Sequence, residues 1–193
     1  MLEFLHAITD SIDGWLFYEE VELLYSLAKA CPKESCIVEI GSYHGKSTCC
    51  LALGSLKGNN VPIYAVDPHS GSPEILSLLN LDSIDTREVF QSNLKRVGLA
   101  LMVVPIFQQS AAAAKSFSEQ IGLLFIDGRH EYEYVCEDAE LWIPKVIENG
   151  VIAFHDCTEG SGPQKVVAEL LKTGTVSQAQ RVRSTEVLSK CAF

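Results

Sequence analysis

No stretch of this chain approaches the run of apolar residues needed to cross a membrane. Its first ten residues, MLEFLHAITD, hold no basic segment leading into a long apolar one. Neither membrane insertion nor a secretory leader is expected, and the expected location is cytoplasmic. Cysteine is plentiful at seven, but ligand-like spacing is missing: no C-x-x-C occurs and the only close pair is the adjacent Cys49-Cys50. That argues against a disulfide framework or a zinc knuckle and for reduced thiols in a core. Basic residues are also in short supply, with 15 Lys and Arg against 25 Asp and Glu and a formal charge of −10. A phosphate backbone needs clustered cations, so nucleic acid is not expected as a partner. No internal repeat is visible, and 193 residues that are 47% apolar suit a single domain over 1–193 with a sizeable core.

What is present is organised around Cys36 to Cys50, CIVEIGSYHGKSTCC. An apolar run ends in Glu39-Ile40, passes through a turn with Gly41 and Gly45, and enters a helix near Lys46-Ser47-Thr48. A buried strand feeding a glycine turn and a helix brings backbone close to a nucleotide-like ligand. A P-loop needs four residues between its first glycine and the Gly-Lys-Ser end, whereas Gly41 and Gly45 enclose three, so Gly45-Lys46-Ser47 reads as a decoy. A dinucleotide turn wants glycine where Tyr43 stands. Glu39 would repel a phosphate but could meet the ammonium of a methionine moiety.

N-terminal helices are expected over about 1–33. From Gly14 the helical stripe is Leu16, Leu23, Leu24 and Leu27, with Glu19, Glu20 and Glu22 on the polar side. Trp15, Phe17 and Tyr18 read as packing, with a substrate rim as the alternative. The run PIYAVD is a buried strand with Asp67 at its carboxyl end, where a carboxylate can accept from both ribose hydroxyls. Residues 68–84, rich in Gly, Ser and Pro, suit a cover over a cleft. Val89, Phe90, Leu94 and Val97 mark an amphipathic helix stopped by Gly98. After the strand LMVVPI, Gln109 and Ser110 could bind an adenine edge.

The second constellation is FIDGRHEYEYVCEDAELWIPKVIENGVIAFHD. Two strands end in Asp127 and Asp156, with His130 and His155 nearby, and Val135, Ala139, Trp142 and Val146 are spaced as a helix between them. Adjacent strand ends would direct these side chains into one crevice. Carboxylates favour a hard divalent cation, and imidazole can bind a metal or take a proton near neutral pH. After Gly160–Gly162 a helix begins at Pro163, and two weak strands over 175–184 and 186–193 suggest a closing antiparallel hairpin.

With both blocks in view the chain resembles the small S-adenosylmethionine-dependent O-methyltransferases of the macrocin O-methyltransferase and cephalosporin hydroxylase-like group, over about Ile37 to Pro163. The resemblance implies an α/β, Rossmann-like methyltransferase sandwich with a seven-stranded, mainly parallel sheet and an antiparallel final strand. It implies S-adenosyl-L-methionine as cofactor, held by Glu39, Gly41, Ser42, Tyr43, Gly45, Asp67, Gln109 and Ser110. Asp127, His130 and His155 become the catalytic candidates, and Asp127 with Asp156 the ligands of a divalent ion such as Mg²⁺. Some relatives place two consecutive carboxylates where this chain has His155-Asp156, so metal geometry does not transfer simply. The implied reaction is methyl transfer to a hydroxyl of a small metabolite, such as a sugar or polyketide-like acceptor, leaving S-adenosylhomocysteine (SAH). An NAD-binding oxidoreductase and a catalytically idle adenosine-cofactor-binding protein remain as alternatives, and a homodimer stays open.

Overall fold

The computed structural model describes residues 2–192. Two helices, α1 (Leu2–Asp10) and α2 (Tyr18–Ala30), precede β1 (Cys36–Ile40), α3 (Lys46–Lys57) and β2 (Ile63–Val66). Then come α4 (Pro73–Leu79), α5 (Arg87–Arg96), β3 (Val103–Ile106), α6 (Ser110–Ser116) and β4 (Ile121–Ile126). The chain closes with α7 (Tyr132–Trp142), a 3-10 turn at Ile143–Lys145, β5 (Val146–Phe154), α8 (Gly162–Thr173), β6 (Val176–Val182) and β7 (Thr185–Lys190).

The seven strands form one sheet in the order β3-β2-β1-β4-β5-β7-β6. Strands β1 to β5 pair in parallel, and β7 runs antiparallel to both β5 and β6. This is the seven-stranded Rossmann-like methyltransferase fold with an antiparallel terminal strand. All residues of β1 and β4 are buried, because helices cover both faces; such strands read as continuous apolar runs rather than alternating ones. Alternation decides only which face each side chain serves. Ile37, Leu123 and Phe125 join the core under α1, α2, α3 and α5, whereas Val38, Ile40, Leu124 and Ile126 pack beneath α6, α7 and α8.

The strand order reverses between β1 and β4, so their carboxyl ends diverge into a crevice. Gly41 sits at the narrowest point with φ +86°, and a Cβ there would fall 2.1 Å from the Asp127 carbonyl oxygen. No other residue allows that approach together with that backbone.

Three local expectations are corrected. Helix α2 starts at Tyr18 rather than soon after Gly14, because Glu20 Oε2 accepts from the Phe17 backbone N–H at 3.1 Å and caps the helix there. Glu20, expected on the polar side, is fully buried. On α5 the apolar stripe is Phe90 and Leu94, four residues apart, with Val97 packed behind them; Val89 lies about 100° round the helix and is exposed. Among the described residues no helix is long and apolar enough to cross a membrane.

Candidate functional site

A cleft of about 530 Å³ opens at the carboxyl ends of β1, β2, β4 and β5. Of the residues singled out from sequence, Gly41, Ser42, Tyr43, Asp67, Gln109, Ser110, Asp127, His130, His155 and Asp156 all line it. Glu39 and Gly45 do not. Glu39 points away from the cleft into the face under α3 and is fully buried. Its Oε2 accepts from Ser42 Oγ (2.8 Å) and Thr48 Oγ1 (2.5 Å), while its Oε1 has no partner. Burial pushes its carboxyl up to about 7, only partly opposed by the hydroxyls of Ser47, Thr48 and Ser42. Glu39 therefore braces the turn from behind. Gly45, at φ +89°, caps α3.

Asp67 bridges two loops. Its Oδ2 accepts from the backbone N–H groups of Ser42 (2.8 Å) and Tyr43 (2.9 Å), and its Oδ1 from that of His69 (2.6 Å). This ties the end of β2 to the glycine turn and fixes Tyr43 in a left-handed conformation, φ +44°, which a non-glycine residue adopts only when surrounding contacts hold it. Gln109 is exposed at the start of α6. Ser110 Oγ accepts from Trp142 Nε1 at 2.8 Å.

The acidic and imidazole cluster assembles as the strand ends required. His155, buried, sets Nδ1 3.0 Å from Asp127 Oδ1 and 3.3 Å from Asp156 Oδ2. Its Nε2 lies 3.3 Å from Glu20 Oε2. Burial alone would lower the His155 pKa, but the charge of Asp127 and the bonds to Asp127, Asp156 and Glu20 outweigh it and hold the ring as an imidazolium. His130 is more open: Nε2 is 3.3 Å from Asp156 Oδ2 and 3.8 Å from Asp127 Oδ1, and Nδ1 is 2.9 Å from Glu74 of α4. The nearby Asp127 carboxylate, against the cost of burial and with the charges of Asp156 and Glu74, raises its pKa to about 9. For Asp127 burial works upward, yet the His155 charge, the bond to His155 and the nearby His130 keep its carboxyl below the usual carboxylate value. One atom each from Asp127, His130 and Asp156 lie within 4.8 Å of one another, a donor set of two carboxylates and an imidazole that fits a divalent cation.

Sequence reasoning missed Glu20, Lys46 and Asp138. Nothing in the α2 sequence separates Glu20 from Glu19 or Glu22. Lys46 Nζ donates to the Gly14 carbonyl (3.1 Å), carrying the N-terminal segment over the turn. Asp138 is legible in retrospect as a carboxylate on the apolar stripe of Val135, Ala139 and Trp142. Of the three aromatics before and at the start of α2, only Trp15 lines the cleft, beside the Tyr43 ring at 5.3 Å. Phe17 lies beneath Arg183, and Tyr18 stacks on His6.

Residues 38–157 match a family model described as a methyltransferase domain. Over 121 residues the chain is 31% identical to an uncharacterized protein, y4gI, of Sinorhizobium fredii; the match takes in 62% of this chain and 13% of that protein. The chain thus spans a small part of that curated relative's length. Among solved structures, the O-methyltransferase NovP superposes with a TM-score of 0.75 at 16% identity, covering 91% of this chain and 81% of that one. The SAH-bound methyltransferase PaMTH1 of Podospora anserina gives a TM-score of 0.71 at 13% identity, covering 100% of this chain and 88% of that one. Identities this low speak for a shared fold.

Proposed function

The chain belongs to the methyltransferase-domain family that its residues 38–157 match, and from that premise we propose that it transfers a methyl group from S-adenosylmethionine to a hydroxyl of a small metabolite. The observation that carries this reading is one cleft holding both the glycine turn locked by Asp67 and the Asp127 carboxylate kept ionised beside it. The cofactor supplies a methyl group already activated on a sulfonium.

The protein's own work is then alignment and proton management. Gly41 to Tyr43 would receive the methionine end and Asp67 the ribose, using the acceptor capacity left after three backbone bonds. Asp127 is the residue we assign as proton acceptor, because His155 and His130 are held protonated near neutral pH and cannot take a proton in that form. His155 positions Asp127 and Asp156. Asp127, His130 and Asp156 would hold Mg²⁺ or a similar cation, which would make a hydroxyl in its reach more acidic; binding would require His130 to give up its proton. The α4 segment, none of whose residues is buried, would cover the cleft through Glu74 and His130. A sugar or polyketide-like acceptor and the narrower likeness to the macrocin O-methyltransferase group rest on the motif blocks alone. The buried free thiols favour a cytoplasmic setting.

Calorimetric titration with SAH and with NAD tests the cofactor. Preference for NAD overturns the assignment in favour of an oxidoreductase. Labelled methyl transfer across a panel of hydroxylated acceptors, with Asp127→Asn as control, separates an enzyme from an idle binder.

A further inference from the structure

We infer that Asp138 of α7 reads the exocyclic amino group of the adenine, an inference that rests on the cofactor reading above. Helix α7 turns one narrow face to the cleft, where Tyr134, Glu137 and Asp138 line the wall while Val135, Ala139 and Trp142 are buried against the sheet. Asp138 is 6% exposed, and its Oδ2 lies 3.7 Å from where a Cβ on Gly128 would sit, next to the end of β4.

Its surroundings leave it short of donors. The Ser110 hydroxyl lies close enough to oppose the effect of burial on its carboxyl, and that serine is held in place by Trp142 Nε1 at 2.8 Å. Arg129, a cation on this wall, is paired with Glu131 at 2.7 Å and lies over the Tyr134 ring. Burial raises the Asp138 carboxyl to about 6, only partly opposed by the Ser110 hydroxyl, so it is still largely ionised at neutral pH. A buried carboxylate so placed calls for a further N–H donor.

The cleft itself supplies the direction. With the methionine end on the turn after β1 and ribose on Asp67 after β2, the base extends toward Ser110 and α7, with Pro68 and Ala111 as apolar wall. Adenine carries two N–H donors on its amino group, whereas a 6-oxo purine offers only an acceptor there. Asp138, an acceptor, therefore selects adenine. Ser110 serves by orienting Asp138, and Gln109, exposed, is not needed for the selection.

The test compares SAH with S-inosylhomocysteine, in which oxygen replaces the amino group, by calorimetric titration of the full chain. Wild type should bind SAH about tenfold or more tightly than the inosyl analogue. In Asp138→Asn the side-chain amide can turn its N–H₂ toward the 6-oxo group, so the ratio should fall to within about threefold of unity. Equal wild-type affinity for both ligands, or undiminished discrimination in a folded Asp138→Asn, overturns the inference while the cofactor reading stands. No binding of SAH to wild type overturns the cofactor reading and this inference together. Should Asp138→Asn not fold, the wild-type ratio alone decides.

Discussion

Glu20 of α2 and His155 at the end of β5 face each other at 3.3 Å, and both side chains are sealed from solvent. The other Glu20 oxygen accepts from Ser184 N, Ser184 Oγ and Thr185 Oγ1 at 2.8–3.0 Å. A helix outside the sheet, the β6-β7 turn and the chemical cluster are thereby joined through one carboxylate. Removing one partner of a buried pair strands the other charge, so Glu20→Ala should lower the unfolding free energy by about 3–5 kcal/mol. Urea denaturation followed by circular dichroism measures this; a loss under about 1 kcal/mol would show the pair to be dispensable.

The same cluster sets a pH dependence. His155 and His130 have folded pKa values raised above their unfolded values, the latter to about 9. Stability from raised imidazoles is complete below about pH 6.5 and is lost as pH rises. Glu39, raised to about 7, acts in the same direction between about pH 4.5 and 7. Glu20, lowered to about 2 by His155 and the Ser184 hydroxyl against its burial, contributes fully above about pH 4.5 and loses that contribution in stronger acid. Chelated, cofactor-free protein should accordingly melt at a higher temperature near pH 5.5 than near pH 8.5. A melting temperature that rises over this interval contradicts the assigned protonation states.

How far the sequence could be read depended on whether a residue's role was local. The strand ends at Glu39, Asp67, Asp127 and Asp156 were legible because a short apolar run followed by an acidic residue is a local pattern, and parallel topology then gathers its ends. Which way Glu39 faces was not legible. In a strand buried on both sides, periodicity no longer marks inside and outside, so its place behind the turn follows only from the packing of α3. Glu20 was misassigned for a related reason: it caps α2 and crosses to the end of β5, 135 positions away. Asp67 was assigned one ligand role, yet it is also a structural link between loops.

The structural link changes what Asp67→Ala should do. On the proposed cofactor reading it removes the ribose acceptors, and it frees the Ser42 and Tyr43 amides, so SAH affinity should fall by about 1.5–3 kcal/mol and stability should fall with it. Titration of the folded variant checks the first effect and thermal melting the second. Affinity unchanged in a folded Asp67→Ala removes the ribose role, and the structural role would stand alone.

Asp127→Asn keeps the shape of the side chain and removes its charge. As proton acceptor, Asp127 should account for about 10²–10⁴-fold in turnover, with SAH affinity within a few-fold of wild type. If chelation abolishes wild-type turnover and Mg²⁺ or Mn²⁺ restores it, Asp156→Ala should raise the metal concentration needed for half-maximal rate. Turnover indifferent to both chelator and Asp156→Ala excludes the metal while leaving Asp127 as acceptor.

Helix α4 is the least anchored part of the cleft's surroundings. It spans seven residues, none buried, and leaves Leu78 and Leu79 exposed at 63% and 37%. Its N-terminus is set by Ser72, whose Oγ accepts from the Ile75 N–H at 3.2 Å. The Glu74–His130 contact is its link to the chemical cluster, and Gly71, Ser72, Pro73 and Ile75 line the cleft. A segment with few buried contacts opens at little cost, whereas a ligand touching its inner side restrains it. Amide exchange over residues 73–81 should therefore be fast in the free protein and slow several-fold when SAH is bound, with β4 unaffected. Glu74→Gln weakens the link by removing its charge, so exchange over 73–81 should be faster in the free protein and the protection gained with SAH smaller. Equal exchange with and without SAH, at saturating ligand, would show that α4 does not cover the bound cofactor.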